Sequence, residues 1–315
     1  MAIVLNDDNL SGYSLMNGAI EAVEAFLLAR ALGKTLSPPR HHVVFEGHGD
    51  LVFTVGGLTG DRPLAGFRCY DTFKGEEHTQ IVAVWSAEDA SLKGIILGGR
   101  LGAIRTGAIG GVAIRHLSST ETNVVGVIGS GLQARMQLAA AACVRTIKKA
   151  YVYSRDATNR MVFARDMQME LGLEIEPVAR VTDAIGDADI VICATSSSQP
   201  VLDVSDLKPG AHINTVGPKT VEAHELGLSV AGAADIIATD SSEQTRSYGS
   251  PFFLHGSGHA LRMVELSDIV AGCIARRPSS HQTTLFCSVG LAGTEVAVAA
   301  AIFDNPSAKE RTRRT

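Results

Sequence analysis

VVGVIGSGLQARMQLAAAACVR, residues 124–145, is the stretch on which the reading of this chain turns. A short β-branched run ends in Gly129-Ser130-Gly131-Leu132-Gln133-Ala134, and an alanine-rich segment with helical spacing follows at once. Strand, glycine turn and helix in that order form the first turn of a dinucleotide-binding sheet. Gly129 permits the tight turn, Gly131 lets the backbone approach a pyrophosphate, and Ala134 lets the helix pack closely on the strand. The free N–H groups at the helix N-terminus then face the phosphates, with Ser130, Leu132 and Gln133 as neighbours.

Downstream, strand-like and helix-like segments alternate. Strands are expected at 149–154, 173–179, 189–195, 212–217 and 235–241, and helices at 157–171, 181–188, around 223–231 and at 241–248. Such alternation implies right-handed crossovers and a doubly wound parallel sheet. The end of the second strand selects the cofactor, because an acidic residue there binds the ribose 2′-hydroxyl of NAD whereas an arginine accommodates the phosphate of NADP. The residues are Tyr153-Ser154-Arg155-Asp156. Ser154 and Arg155 favour NADP over NAD, while Asp156 comes late and suits a helix cap. Ala194, Thr195 and Ser196 end the third strand, where small residues let a nicotinamide ribose sit close; a capping cluster is the equal alternative.

Upstream, residues 15–32 carry apolar positions at helical spacing and stop at Gly33. Runs at 42–45, 51–55, 64–72 and 80–86 read as antiparallel strands, and 97–117 as a glycine-rich helix. Arg105 lies inside that helix among small and apolar residues, where an unpaired charge is costly. It is either a carboxylate or pyrophosphate clamp or half of an ion pair with a neighbouring Asp or Glu. Arg40, after two prolines, and Arg68, in the apolar run AGFRCY, are similar candidates for gripping a carboxylate. Residues 284–304 read as a loop leading into an apolar helix that returns to the first domain, and the polar, basic tail 308–315 as frayed.

Charge and cysteine usage narrow the function. A net charge of −5 spread without blocks argues against nucleic acid and against a polybasic membrane surface, leaving a small molecule as the expected partner. No apolar run is long enough to span a bilayer and no secretory signal is apparent, so cytoplasmic residence is expected. Five cysteines far apart predict neither disulfides nor a metal site, with Cys193 a buried, inert thiol.

Five segments together carry a resemblance: PPR at 38–40, RTGA at 105–108, VIGSGLQA at 127–134, ICATSS at 192–197 and SVGLAGTE at 288–295. In order and spacing the sequence resembles the ornithine cyclodeaminase and mu-crystallin family over nearly its whole length. The resemblance implies an α/β protein: a Rossmann-type dinucleotide-binding domain at 119–295, and a smaller α+β domain for substrate binding and homodimerisation at 1–118 and 296–315. It makes Arg40 the carboxylate-binding arginine, places Arg105 near cofactor and substrate, and extends the cofactor set to Thr106, Val216, Gly217 and Gly290.

Two positions depart from the family pattern. Arg68 stands where many members have a lysine, and arginine anchors charge but does not exchange protons near neutrality. Lys219 stands where cyclodeaminases carry an Asp, and a lysine there would repel the side-chain amine of ornithine. The expectation is an NAD(P)H-dependent reductase of imines of 2-oxo acids, or an amino acid dehydrogenase. Arg68, Arg105 and Lys219 would be its catalytic residues, Arg40, Arg68 and Arg105 its substrate-binding ones. A cyclodeaminase with tightly held NAD and a non-catalytic NADPH- and ligand-binding protein remain the alternatives.

Overall fold

A computed structural model describes residues 2–76, 78–274, 279 and 281–305 of the chain. The tail at 308–315, expected to be frayed, lies outside the described residues. The chain forms two compact units, Met1–Arg105 with Leu291–Thr315, and Thr106–Gly290. The sequence placed the divisions at 118/119 and 295/296; the compact units divide at Arg105/Thr106, inside a continuous helix, and at Gly290/Leu291.

The first unit contains β1 (Ile3–Leu5), α1 (Met16–Ala31), β2 (Thr35–Leu36), β3 (His41–Phe45), β4 (Gly49–Leu58), β5 (Leu64–Asp71), β6 (Ile81–Ser86) and β7 (Leu92–Leu97). It also holds the start of α2 (Arg100–Leu117). β4 to β7 form an antiparallel meander, with β1 parallel to β7 at one side and β2 and β3 both paired to β4 at the other. α9 (Thr294–Asp304) lies against β4 to β7 and against α1. Strand glycines make that approach possible: a Cβ on Gly66 would meet Val296 at 2.9 Å, and one on Gly94 would meet Phe303 at 2.7 Å. Burying α9 almost completely supplies this unit with its apolar centre.

The second unit is a parallel sheet. Its elements are β8 (Val124–Ile128), α3 (Leu132–Val144), β9 (Lys149–Tyr153), α4 (Ala157–Leu171), β10 (Glu174–Pro177), α5 (Val181–Ile185), β11 (Ile190–Cys193) and β12 (His212–Thr215). α6 (Leu228–Ala233), β13 (Ile236–Thr239), α7 (Ser242–Arg246), β14 (Met263–Glu265), α8 (Leu266–Val270) and β15 (Thr284–Cys287) follow. The strand order is β10-β9-β8-β11-β12-β15-β13-β14, all parallel. The order reverses between β8 and β11, the place where such sheets open a crevice at the carboxyl ends of their strands. Asp156 caps α4, its carboxylate accepting from Asn159 N at 2.8 Å, as the sequence suggested.

Two expectations about elements are corrected. Residues 284–287, read as loop, form β15, buried throughout and inserted between β12 and β13. A four-residue strand buried on both faces shows no alternation, so its pattern merges with the apolar helix beyond it. The helix expected around 223–231 begins only at Leu228, and the preceding residues form a loop that folds back on itself. Among the described residues no helix is long and apolar enough to cross a membrane.

Candidate active site

A cavity of about 540 Å³ opens at the switch point of the parallel sheet. Gly129, Ser130, Gly131, Leu132 and Gln133 line it from the turn after β8, Ser154 and Arg155 from the end of β9, and Ala194, Thr195 and Ser196 from the end of β11. Ala134 sits fully buried in the first turn of α3, where only a small side chain fits the helix packing. Gly129 has φ +115°, and a Cβ there would collide with the carbonyl of Ala194, so glycine is required twice over.

Gly131 differs. Its φ of −78° suits any residue, and a Cβ would meet nothing within 4 Å. The space beside it belongs to the cavity, at the N-terminus of a helix that has no side-chain cap. Gln133 Oε1 is buried there without a hydrogen-bond partner. An uncapped helix start over open space fits the pyrophosphate of a dinucleotide. Ser130 and Ser154 hydroxyls meet at 3.1 Å, and Arg160 donates to Ser154 O at 2.9 Å, fixing the end of β9. With Asp156 engaged as a cap, no acidic side chain among the described residues lines the cavity.

Under the ends of β11 and β12 lies Glu225, which is fully buried. Glu225 is neither exposed nor helical, because the loop from Gly217 turns back and presents its carboxylate to backbone donors. One oxygen accepts from Thr195 N at 2.9 Å and Thr195 Oγ1 at 2.8 Å. The other accepts from Thr215 Oγ1 at 2.7 Å, Val216 N at 3.0 Å and Gly217 N at 2.6 Å. Val216 and Gly217, expected to touch cofactor, are thus held from below.

The arginines gather in the first unit. Glu295, at the start of α9 and 1% exposed, accepts from Arg105 Nη2 at 2.8 Å and from Arg68 Nη1 at 3.2 Å through the same Oε1. Arg68 also donates to Gln80 Oε1 from Nε at 3.0 Å and from Nη2 at 2.6 Å, and lies over the Tyr70 ring at 4.3 Å. Arg40 is close enough to act electrostatically on both Arg68 and Glu295. Burial pushes the Glu295 carboxyl up, but Arg105 and Arg68 outweigh it and hold the group below the usual range. For Arg68, burial and Arg105 act against the charge and Glu295 acts for it. The ion-pair alternative for Arg105 is therefore observed. Two buried guanidiniums share one carboxylate, and Arg105 Nε has no hydrogen-bond partner.

The remaining candidates lie in the second unit. Lys219 is 6% exposed, donates to Gly217 O and pairs with His224 in an isolated bridge. Thr106 is buried, and its carbonyl accepts from Gln137 Nε2 at 2.9 Å. Gly290 N donates to Asp240 at 2.8 Å. Burial pushes the Cys193 thiol well up and the Cys287 thiol to about 12, which leaves both as inert packing.

A doubly wound parallel sheet with a glycine turn at its switch point, together with a smaller antiparallel unit carrying clustered arginines, defines a Rossmann-type dinucleotide-binding fold with a second domain. The family model for the ornithine cyclodeaminase/mu-crystallin family matches residues 2–310, and the chain belongs to that family. A Delta(1)-pyrroline-2-carboxylate reductase of Bacillus cereus is 33% identical over 218 residues, 67% of this chain and 66% of that protein. The solved Delta(1)-pyrroline-2-carboxylate reductase of Thermococcus litoralis, in complex with NADH and L-proline, superposes with a TM-score of 0.86 at 28% identity, covering 99% of this chain and 98% of that one. The iminosuccinate reductase of Paracoccus denitrificans, in complex with NAD+, gives 0.84 at 25% identity over 99% and 97% of the two chains.

Proposed function

We propose that the protein reduces the imine of a 2-oxo acid to an amino acid, or runs the reverse oxidation, with a nicotinamide dinucleotide as the hydride carrier. The observation that carries this reading is the sharing of Glu295 by Arg68 and Arg105. Two buried cations on one anion leave positive charge that a substrate carboxylate matches, and guanidiniums suit a carboxylate geometrically. Relatives that reduce cyclic and open imino acids support the same chemistry.

In this reading Arg40 and Arg68 bind the carboxylate and Arg105 orients the substrate. Lys219, or a water it holds, keeps a proton for the imine nitrogen, and protonation there makes the adjacent carbon the better hydride acceptor. The dinucleotide supplies the hydride when bound. Thr106 and Gly290 complete its surroundings, and Ser154 and Arg155, with no acid lining the cavity among the described residues, favour NADP over NAD. The assembly is a homodimer, formed on the apolar sheet face of Phe53, Val55, Phe67 and Trp85.

The test follows absorbance of NADPH or NADH with cyclic ketimine carboxylates, pyruvate plus an amine, and oxaloacetate plus ammonia. Oxidation that requires one of these substrates supports the reading. No oxidation, together with proline formation from ornithine, would sink it and show that Lys219 does not exclude cyclodeamination.

A further inference from the structure

We propose that Glu225 is a positioning residue for the nicotinamide half of the cofactor site, acting through Thr195 and Gly217; this rests on the reading of the cavity as a dinucleotide site. β11 and β12 are adjacent and in register, Cys193 beside Thr215, so their carboxyl ends emerge together at the crevice. In such a sheet the adenosine and pyrophosphate are held by the glycine turn and the end of the second strand. The nicotinamide half crosses toward the strands beyond the switch point. Thr195 lines the cavity on that side. Its amide and its hydroxyl both donate to the Glu225 carboxylate, at 2.9 and 2.8 Å, which fixes the side chain and the backbone of one cavity residue through a single group.

The same carboxylate fixes the neighbouring segment. Its second oxygen takes Thr215 Oγ1, Val216 N and Gly217 N, and a Cβ on Gly217 would come within 2.5 Å of Glu225 Oε2. The loop between them closes on itself, with Glu225 N donating to Pro218 O at 3.2 Å and Lys219 bridged to His224. One buried carboxylate thus sets Thr195, Gly217 and the loop that carries Lys219. All five groups it meets are donors: three amides and two hydroxyls. That arrangement suits a group that only accepts, and an amide would set its NH2 against a backbone N–H whichever way it turned.

The experiment titrates the protein with NADH, with NADPH and with ADP-ribose, which lacks the nicotinamide. Glu225→Gln weakens reduced-dinucleotide binding by about ten-fold or more and ADP-ribose binding by less than about two-fold, since two or more hydrogen bonds are lost on the nicotinamide side alone. Thr215→Val removes one donor from the same carboxylate without touching the cavity lining, and gives a smaller loss of the same selectivity. If Glu225→Gln does not fold, Thr215→Val decides alone. Unchanged dinucleotide binding, or equal loss of dinucleotide and ADP-ribose, would overturn the inference and leave Glu225 a structural group. A wild-type protein that binds no dinucleotide would overturn the cofactor reading itself, and this inference with it.

Discussion

Replacing Glu295 by Gln keeps the shape of the side chain and removes its charge, which makes it the sharpest probe of the arginine cluster. Arg105 and Arg68 reach the same Oε1 at 2.8 and 3.2 Å, and their side chains are only 6% and 11% exposed, so little water is at hand to replace the lost anion. Removing one partner of a buried ion pair costs about 3–5 kcal/mol, and here one deletion strands two cations. At about 2–4 °C per kcal/mol for a domain of this size, the melting temperature falls by on the order of 10 °C. The assay is thermal unfolding by calorimetry at low salt, without and then with a small amino acid or 2-oxo acid. If the cluster is a carboxylate site, the added ligand restores more stability to Glu295→Gln than to the wild type. A ligand at a hundred times its dissociation constant contributes about 2.7 kcal/mol. A drop below about 2 °C with no extra rescue would refute the reasoning, because the arginines would then be neutralised by other groups.

Further outcomes follow from the same geometry. The folded-state pKa of Glu295 lies below its ordinary value. Its contribution is therefore full above the unfolded pKa of about 4.3 and is lost as pH falls through the depressed folded value. The stability gap between wild type and Glu295→Gln should narrow on acidification below that point, and a gap independent of pH would contradict the pairing. Gly129→Ala should destabilise the unliganded protein by about 2–5 kcal/mol, from left-handed strain and overlap with the Ala194 carbonyl. Gly131→Ala should leave melting within about 1 kcal/mol yet weaken dinucleotide binding ten-fold or more, since its new Cβ occupies open cavity; unchanged titration would show that the pyrophosphate lies elsewhere. Arg155→Ser should lower NADPH affinity by about ten- to a hundred-fold, the worth of one charge-assisted hydrogen bond, and barely alter NADH affinity. Equal effects on the two would remove the case for NADP.

The parts of this molecule that were legible in the sequence are those whose partners are near in the chain. Gly129, Ser130, Gly131, Ser154, Arg155, Ala194 and Thr195 sit at the ends of strands with local patterns, and all of them line one cavity. β15 was not legible, because burial on both faces erases the alternation that marks a strand. Nor were the two carboxylates that organise the candidate sites, Glu225 for a loop held 30 residues back in the chain and Glu295 for an arginine 227 residues away. The physical argument for finding Glu295 was nonetheless present. Arg105 drew attention because a charge in an apolar, glycine-rich helix must be compensated; Glu295 is the second residue of TEVAVAAAIFD, an equally apolar helix, and incurs the same cost. Two such costs of opposite sign in one chain are most cheaply met by each other, and the structure pairs them at 2.8 Å. Glu225 offers no such clue, since its partners are backbone amides and threonine hydroxyls that any sequence supplies. What the sequence shows is the set of groups that would face a ligand. The buried carboxylates that hold those groups in place become visible only when the chain is folded around them.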